Sequence, residues 1–195
     1  MKKILFILLF TLNATLSFSQ AIVPKDYDLN ILAQAIFEAT NELRVELGYS
    51  SFKSSKDLFE AAHFQADRMA KRKRLQHDWR GDKKYGTARA RITQFGANFR
   101  ATGENIARDY LVDIPSGQTY YLNEAGQAIT RQGKPIPYRS YQQIARKVVK
   151  DWYNSPGHRE NLLRDFEYLG IGASKLVPEK KGPNFDVYLV QNFGK

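Results

Sequence analysis

The sequence predicts an α/β fold in three layers, a small antiparallel sheet with helices covering it. Three observations carry that prediction. Apolar residues recur at helical spacing in three separate stretches, 27–47, 54–77 and 140–155. Two β-type segments, Leu169–Ala173 and Phe185–Val190, flank the turn-rich VPEKKGPN, and their lengths suit antiparallel strands better than a wound parallel sheet. Of the 195 residues 43% are hydrophobic and 26% charged, which is the balance of one globular domain and not of a disordered chain.

In the first helical stretch Leu32, Ile36, Leu43 and Leu47, with Ala35 and Ala39 between them, form one buried stripe that Gly48 ends. GYSSFKSS then reads as a linker. Ser54, three residues before Asp57, is placed to cap a second helix whose face holds Leu58, Ala62, Ala66 and Met69. Its small alanines allow close packing, and it is expected to end between Arg74 and His77. From Tyr85 to Thr102 the periodicity is poor, and TGENIARDY follows, dense in functional side chains. Thr119–Leu122 and Gln127–Thr130 read as two strands of a hairpin around the 123–126 turn, stopped by Pro135 and Pro137. Ser140 and Gln143 have the spacing of a capping box for a third helix, with Tyr141, Ala145, Val148 and Trp152 on one stripe. Ser155-Pro156 places a capping hydroxyl ahead of a proline at the first position of a short helix through HRENLL.

The N-terminus has the layout of a secretory signal. Lys2 and Lys3 precede a largely apolar run from Ile4 to Leu12, too short to span a bilayer, and Ser17 and Ser19 sit at a signal-peptidase spacing. Residues 1–19 are therefore read as a signal peptide and 20–195 as one domain, with its core at about 30–194 and a hairpin excursion at 111–139. Cleavage near Ser19 delivers a secreted or periplasmic protein with no stable membrane span, expected to be a monomer. The absence of Cys excludes a disulfide scaffold, a thiolate nucleophile and Cys-ligated zinc or iron–sulfur.

The net charge of +10 is localised: residues 68–91 hold ten Lys or Arg against Asp78 and Asp82. Lys71, Arg72, Lys73, Arg74, Lys83 and Lys84 form the candidate surface patch. Such a run reads either as a solvated helix end, where cations suit the dipole, or as a surface for an anionic glycan, lipid or other cell-envelope component. Nucleic acid is not expected, since no reading module is present and the chain carries an export signal.

Three residues are candidates for chemistry: His77 in LQHDW, Glu104 in GENIA and His158 in SPGHRENLL. Two imidazoles and a carboxylate can hold a divalent cation weakly or relay a proton. A neutral His158 is expected at the start of its helix, where a cation is disfavoured. The same residues are equally read as satisfied structural groups, because their separation in sequence is no spacing motif. His63, in mid-helix, reads as structural. No G-x-S-x-G elbow, phosphate-binding glycine loop or H-E-x-x-H is present.

Taken in order, NELR (41–44), LQHDW, GENIA (103–107), DWYNSPGHRENLL (151–163), LGIG (169–172) and VQNFG (190–194) closely resemble the CAP superfamily, in its bacterial secreted branch. The resemblance implies an α/β/α sandwich with a small antiparallel central sheet. It also implies a cleft lined by two His and two Glu, matched here by His77, Glu104 and His158. Ser155 stands at the place of the second Glu, which weakens the implied binding of a divalent cation (Zn, Ca or Mg). Glu160 is nearby in sequence but is expected to point elsewhere on its helix. The resemblance implies no firm cofactor, and two functions stay open: a binding module for an envelope lipid, glycan or divalent cation, and a hydrolase in which His77 or His158 activates water with Glu104.

Overall fold

The computed structural model describes residues 19–114, 118–180 and 182–195. Apart from Ser19, the export segment read at 1–19 lies outside the described residues. A single 3-10 turn, Pro24–Asp26, leads into α1, Leu29–Glu46, capped by the Asp28 carboxylate on the Asn30 amide. Two residues of strand, β1 (Lys53–Ser54), precede α2 (Lys56–Arg72). Then come α3 (Ala88–Gln94), β2 (Thr102–Tyr110), the short β3 (Tyr121–Leu122) and β4 (Ala128–Ile129), α4 (Tyr141–Asn154) and α5 (Pro156–Leu163). The chain closes with β5 (Tyr168–Ala173), β6 (Val177–Pro178) and β7 (Phe185–Gly194).

The expected three layers are present. The central sheet runs β1-β5-β7-β2, with β6 also paired to β7, and β3-β4 forms a separate two-stranded sheet. The central pairings are antiparallel except β1 with β5, so the sheet is mixed by its two-residue edge strand. Side chains alternate across it. Leu169, Ile171, Val187, Leu189 and Phe193 face α1 and α4 and join Leu32, Ile36, Ile144, Val148 and Trp152 in the main core. On the other face Tyr188, Val190 and Ile106 meet Ala62, Ala66 and Met69 of α2. A Cβ on Gly170 or Gly172 would come within 2.2 Å of the α2 backbone, so these two glycines are what lets the helix lie directly on β5.

Local details depart from the sequence reading for identifiable reasons. The cap of α2 is Ser55, whose hydroxyl accepts from Leu58, and not Ser54, which is spent in β1. The same helix ends at Arg72 because Lys73 turns left-handed (φ 50°) and returns its amide, and that of Arg74, to Ala70 and Met69. The Ser140–Gln143 capping box forms in full. Ser155 does start α5, yet its hydroxyl makes no cap hydrogen bond, since Pro156 already fixes the first helical turn. The hairpin pairs only two residues on each side. Its base is held by buried Arg139, which donates to Asp109, Asp113 and the carbonyls of Tyr110 and Ile114.

Candidate functional site

The segments that carry the candidate residues meet along β2, the far strand of the sheet. Register places Glu104 opposite Asn192 and Asn105 opposite Gln191 on β7. Because neighbouring side chains on a strand go to opposite faces, Glu104 projects toward α2 and Asn105 toward α5. The loop after α2 brings His77 to the first face. Gln65, buried in α2, donates to the carbonyls of Gln76 (2.7 Å) and His77 (3.3 Å) and accepts from the Trp79 indole at 3.0 Å. That single amide thus sets the path of the LQHDW segment.

His77 Nδ1 lies 2.9 Å from Glu104 Oε1, and Arg91 Nη2 lies 2.7 Å from Glu104 Oε2. The Glu104 side chain is 3% exposed, that of Arg91 is fully buried, and that of His77 is 49% exposed. A carboxylate only accepts, so Nδ1 carries the proton in this contact and Nε2 is the lone-pair nitrogen of the neutral ring. Arg91 also donates to the carbonyls of His77 and Tyr85, each at 3.1 Å. Sequence reasoning missed Arg91. It sits in α3, a seven-residue helix capped by Thr87 that the weak periodicity of 85–102 concealed.

Across the strand, Asn105 donates to the His158 carbonyl (3.1 Å) and to Gln191 (3.0 Å), while Asn161 donates to Asn105 at 2.9 Å. Gln191 in turn donates to Thr40 of α1 at 2.9 Å. This buried amide chain fixes α5, and with it His158, against the sheet. Both asparagines lie inside the motifs quoted from the sequence, GENIA and HRENLL, which was the available signal. The His158 pKa is lowered, first by burial and then by charge on His77, so the expected neutrality has a different main cause than the helix terminus. Ser155 makes no hydrogen bond to Glu104 or to either imidazole among the described residues, and Glu160 points out to an ion pair with Arg164 (2.5 Å). His63 stacks on Phe59 with ring centroids 6.0 Å apart, and its Nδ1 is buried with no hydrogen-bond partner among the described residues.

A pH titration of the ring protons of His158 is expected to give a midpoint below the ordinary imidazole value of 6.5. The unfolded chain takes up this proton more readily than the folded one. The stability His158 contributes is therefore complete above that ordinary value and is lost as pH falls through the lowered one. His77→Ala should raise the midpoint without restoring it fully, because burial remains. A His158 midpoint at or above the ordinary value would contradict the assignment.

The basic run divides into two parts. Arg91 is spent on Glu104, and Arg68 pairs with Asp82 at 2.7 Å. The guanidinium of Arg68 lies 4.7 Å and that of Arg72 5.1 Å from the Trp79 ring centroid, both in cation–π range. Arg74, Asp78 and Arg80 join these residues in lining one surface hollow next to His77. Lys71, Lys73, Lys83 and Lys84 are exposed, and Lys84 Nζ lies 5.1 Å from the Tyr85 ring.

The donor set does not favour the divalent cation that the resemblance implied. Both Glu104 oxygens already accept from nitrogen. Among the described residues no group of three or more His, Cys, Asp or Glu is arranged to hold a metal. A firm zinc site uses three or four protein ligands.

A mixed sheet between helical layers, with a carboxylate–imidazole pair at β2, defines the class as a CAP-type α/β/α domain. The chain belongs to the CAP family, the cysteine-rich secretory protein family, whose model matches residues 37–193. It is 27% identical over 141 residues to the uncharacterized membrane protein YlbC of Bacillus subtilis, covering 72% of this chain and 31% of that one. It is 25% identical over 138 residues to the uncharacterized protein YkwD of the same organism, covering 70% and 40%. The chain thus spans well under half the length of these relatives. Among solved structures it resembles an SCP-domain extracellular protein of Bacillus anthracis (TM-score 0.57, 22% identity, 91% of this chain and 45% of that one). An outer surface protein of Borrelia burgdorferi has the same TM-score, 0.57, at 20% identity, covering 87% of this chain and 96% of that one. Both show the fold alone. Among the described residues no helix is long and apolar enough to cross a membrane.

Proposed function

We propose that this is an exported binding module that takes an anionic group of the cell envelope, a phosphate, sulfate or carboxylate on a glycan or lipid headgroup, at the arginine-lined hollow beside His77. The observation that carries this reading is the arrangement of Arg68 and Arg72 over Trp79, with Arg74 and Arg80 lining the same hollow. Guanidinium groups held on a ring are preorganised and keep their charge at every physiological pH. A solvated helix end needs no such aromatic platform. The export signal and the likeness in fold to an extracellular protein and an outer surface protein support a location outside the cytoplasm.

The test compares wild type with a variant in which Lys71, Arg72, Lys73 and Arg74 are all changed to Glu. Binding to a sulfated or uronate polysaccharide and to phosphatidylglycerol vesicles is measured at low and raised salt. Salt-sensitive binding by wild type and its loss in the variant are expected, and the arm that responds separates a glycan source from a lipid one. Equal binding by both proteins would refute the reading.

A second reading, water activation, is supported by the Glu104–His77 contact, in which a carboxylate orients an imidazole as it does for a general base. Hydrolysis of a bound glycan or ester that disappears in His77→Gln would favour it over simple binding.

A further inference from the structure

We propose that Arg91 is the built-in cation of this site. Its guanidinium holds the Glu104 oxygen that a divalent ion would need, and Glu104 is a positioning residue for His77, not a metal ligand. The proposal rests on the inner face of the site and is independent of the anion reading, which rests on the outer hollow.

Each oxygen of the carboxylate already accepts from a nitrogen, and one of those nitrogens carries its counter-charge. Oε1 is 2.9 Å from His77 Nδ1 and Oε2 is 2.7 Å from Arg91 Nη2. Arg91 cannot swing aside as a surface arginine would. Its side chain has no exposed surface, and its remaining bonds go to the carbonyls of His77 and Tyr85. The guanidinium is permanently charged, so no change of pH in the physiological range releases Glu104 from it. A hard divalent cation seeks carboxylate oxygens, and here the buried Glu104 carboxylate already has its counter-charge in Arg91. Arg91 also bonds the His77 carbonyl while Glu104 bonds the His77 ring, so the pair grips both ends of that residue. The half-exposed His77 ring is thereby held by its Nδ1, which leaves Nε2 outside this contact.

Two measurements on the whole protein test this. Nitrogen–proton correlation of the imidazoles above their titration range should show His77 with the proton on Nδ1 and a bare Nε2. Titration with diamagnetic Mg²⁺, followed by the chemical shift of the Glu104 carboxylate carbon, should leave that signal of wild type unmoved. Arg91→Gln should then gain Mg²⁺ affinity by about tenfold or more, and Glu104→Gln in that background should remove the gain. A saturable Mg²⁺-dependent shift of the Glu104 carboxylate in wild type, or a proton on Nε2 of His77, would overturn the proposal. Both of these readouts use wild type, so the outcome stands even if Arg91→Gln does not fold.

Discussion

Gly172→Ala is expected to lose at least about 3 kcal/mol of stability, the upper end of what overpacking a close-packed interior costs. The new Cβ would lie 2.2 Å from the Ala62 carbonyl carbon and 2.4 Å from its oxygen. Gly170→Ala meets Leu58 and Phe59 in the same way, at 2.2 Å from backbone atoms of each. Neither glycine has a left-handed φ, so conformation is not the obstacle; space is. A side chain could rotate away from such a contact, but a helix backbone cannot. The added methyl must therefore lift α2 off β5. That helix carries Gln65, which holds the His77 carbonyl, so the damage should reach the site as well. Gly157→Ala is the control: it lies in α5 with nothing within 4 Å of its added Cβ, and should change stability by no more than about 1 kcal/mol, in the stabilising direction. Urea unfolding followed by tryptophan fluorescence reads all three. An unchanged midpoint for Gly172→Ala would show that α2 does not pack as described.

These glycines also mark how far the sequence could be read. The stripes Leu32–Ile36 and Tyr141–Ala145–Val148–Trp152 announced α1 and α4, since three to four apolar residues per two turns is a strong signal over a long helix. The alanines of α2 hinted at close packing, but only the register of β5 identifies Gly170 and Gly172 as the partners. β2 escaped notice because its buried positions include Glu104, Asn105 and Asp109, so hydrophobic alternation is absent. Its polar groups are buried because each bonds a neighbouring element: Glu104 the His77 ring and Arg91, Asn105 Gln191 and the His158 carbonyl, and Asp109 Arg139. α3 escaped because seven residues with two arginines give no usable periodicity. Of the candidate site, His77, Glu104 and His158 were legible from their motifs, and the structure joins the first two directly. Arg91 was hidden in the charge run, where nothing distinguishes a buried arginine from nine basic neighbours that face water or pair at the surface.

The second large effect concerns that arginine. Arg91→Met is expected to cost about 3–5 kcal/mol, because it leaves a carboxylate that is 3% exposed without its counter-charge. Glu104→Leu should cost a similar amount by stranding a fully buried guanidinium. The informative variant is the pair, Arg91→Met with Glu104→Leu. Removing both charges together avoids the stranded ion, and replacing a buried pair by apolar groups is often nearly neutral. Full recovery is not expected here. Arg91 also donates to the carbonyls of His77 and Tyr85. Without it they would keep only the longer bonds from Gln65 (3.3 Å) and Arg68 (3.4 Å), and each hydrogen bond lost contributes on the order of 1 kcal/mol. The double variant should thus stay below wild type yet exceed the sum of the singles by about 2 kcal/mol, within the range measured for directly bonded residues. Simple additivity in a denaturant cycle would mean that Arg91 supports the loop carbonyls alone and that Glu104 is neutralised by something else. A favourable coupling term of that size would place the charge of Arg91 on Glu104, where the geometry puts it.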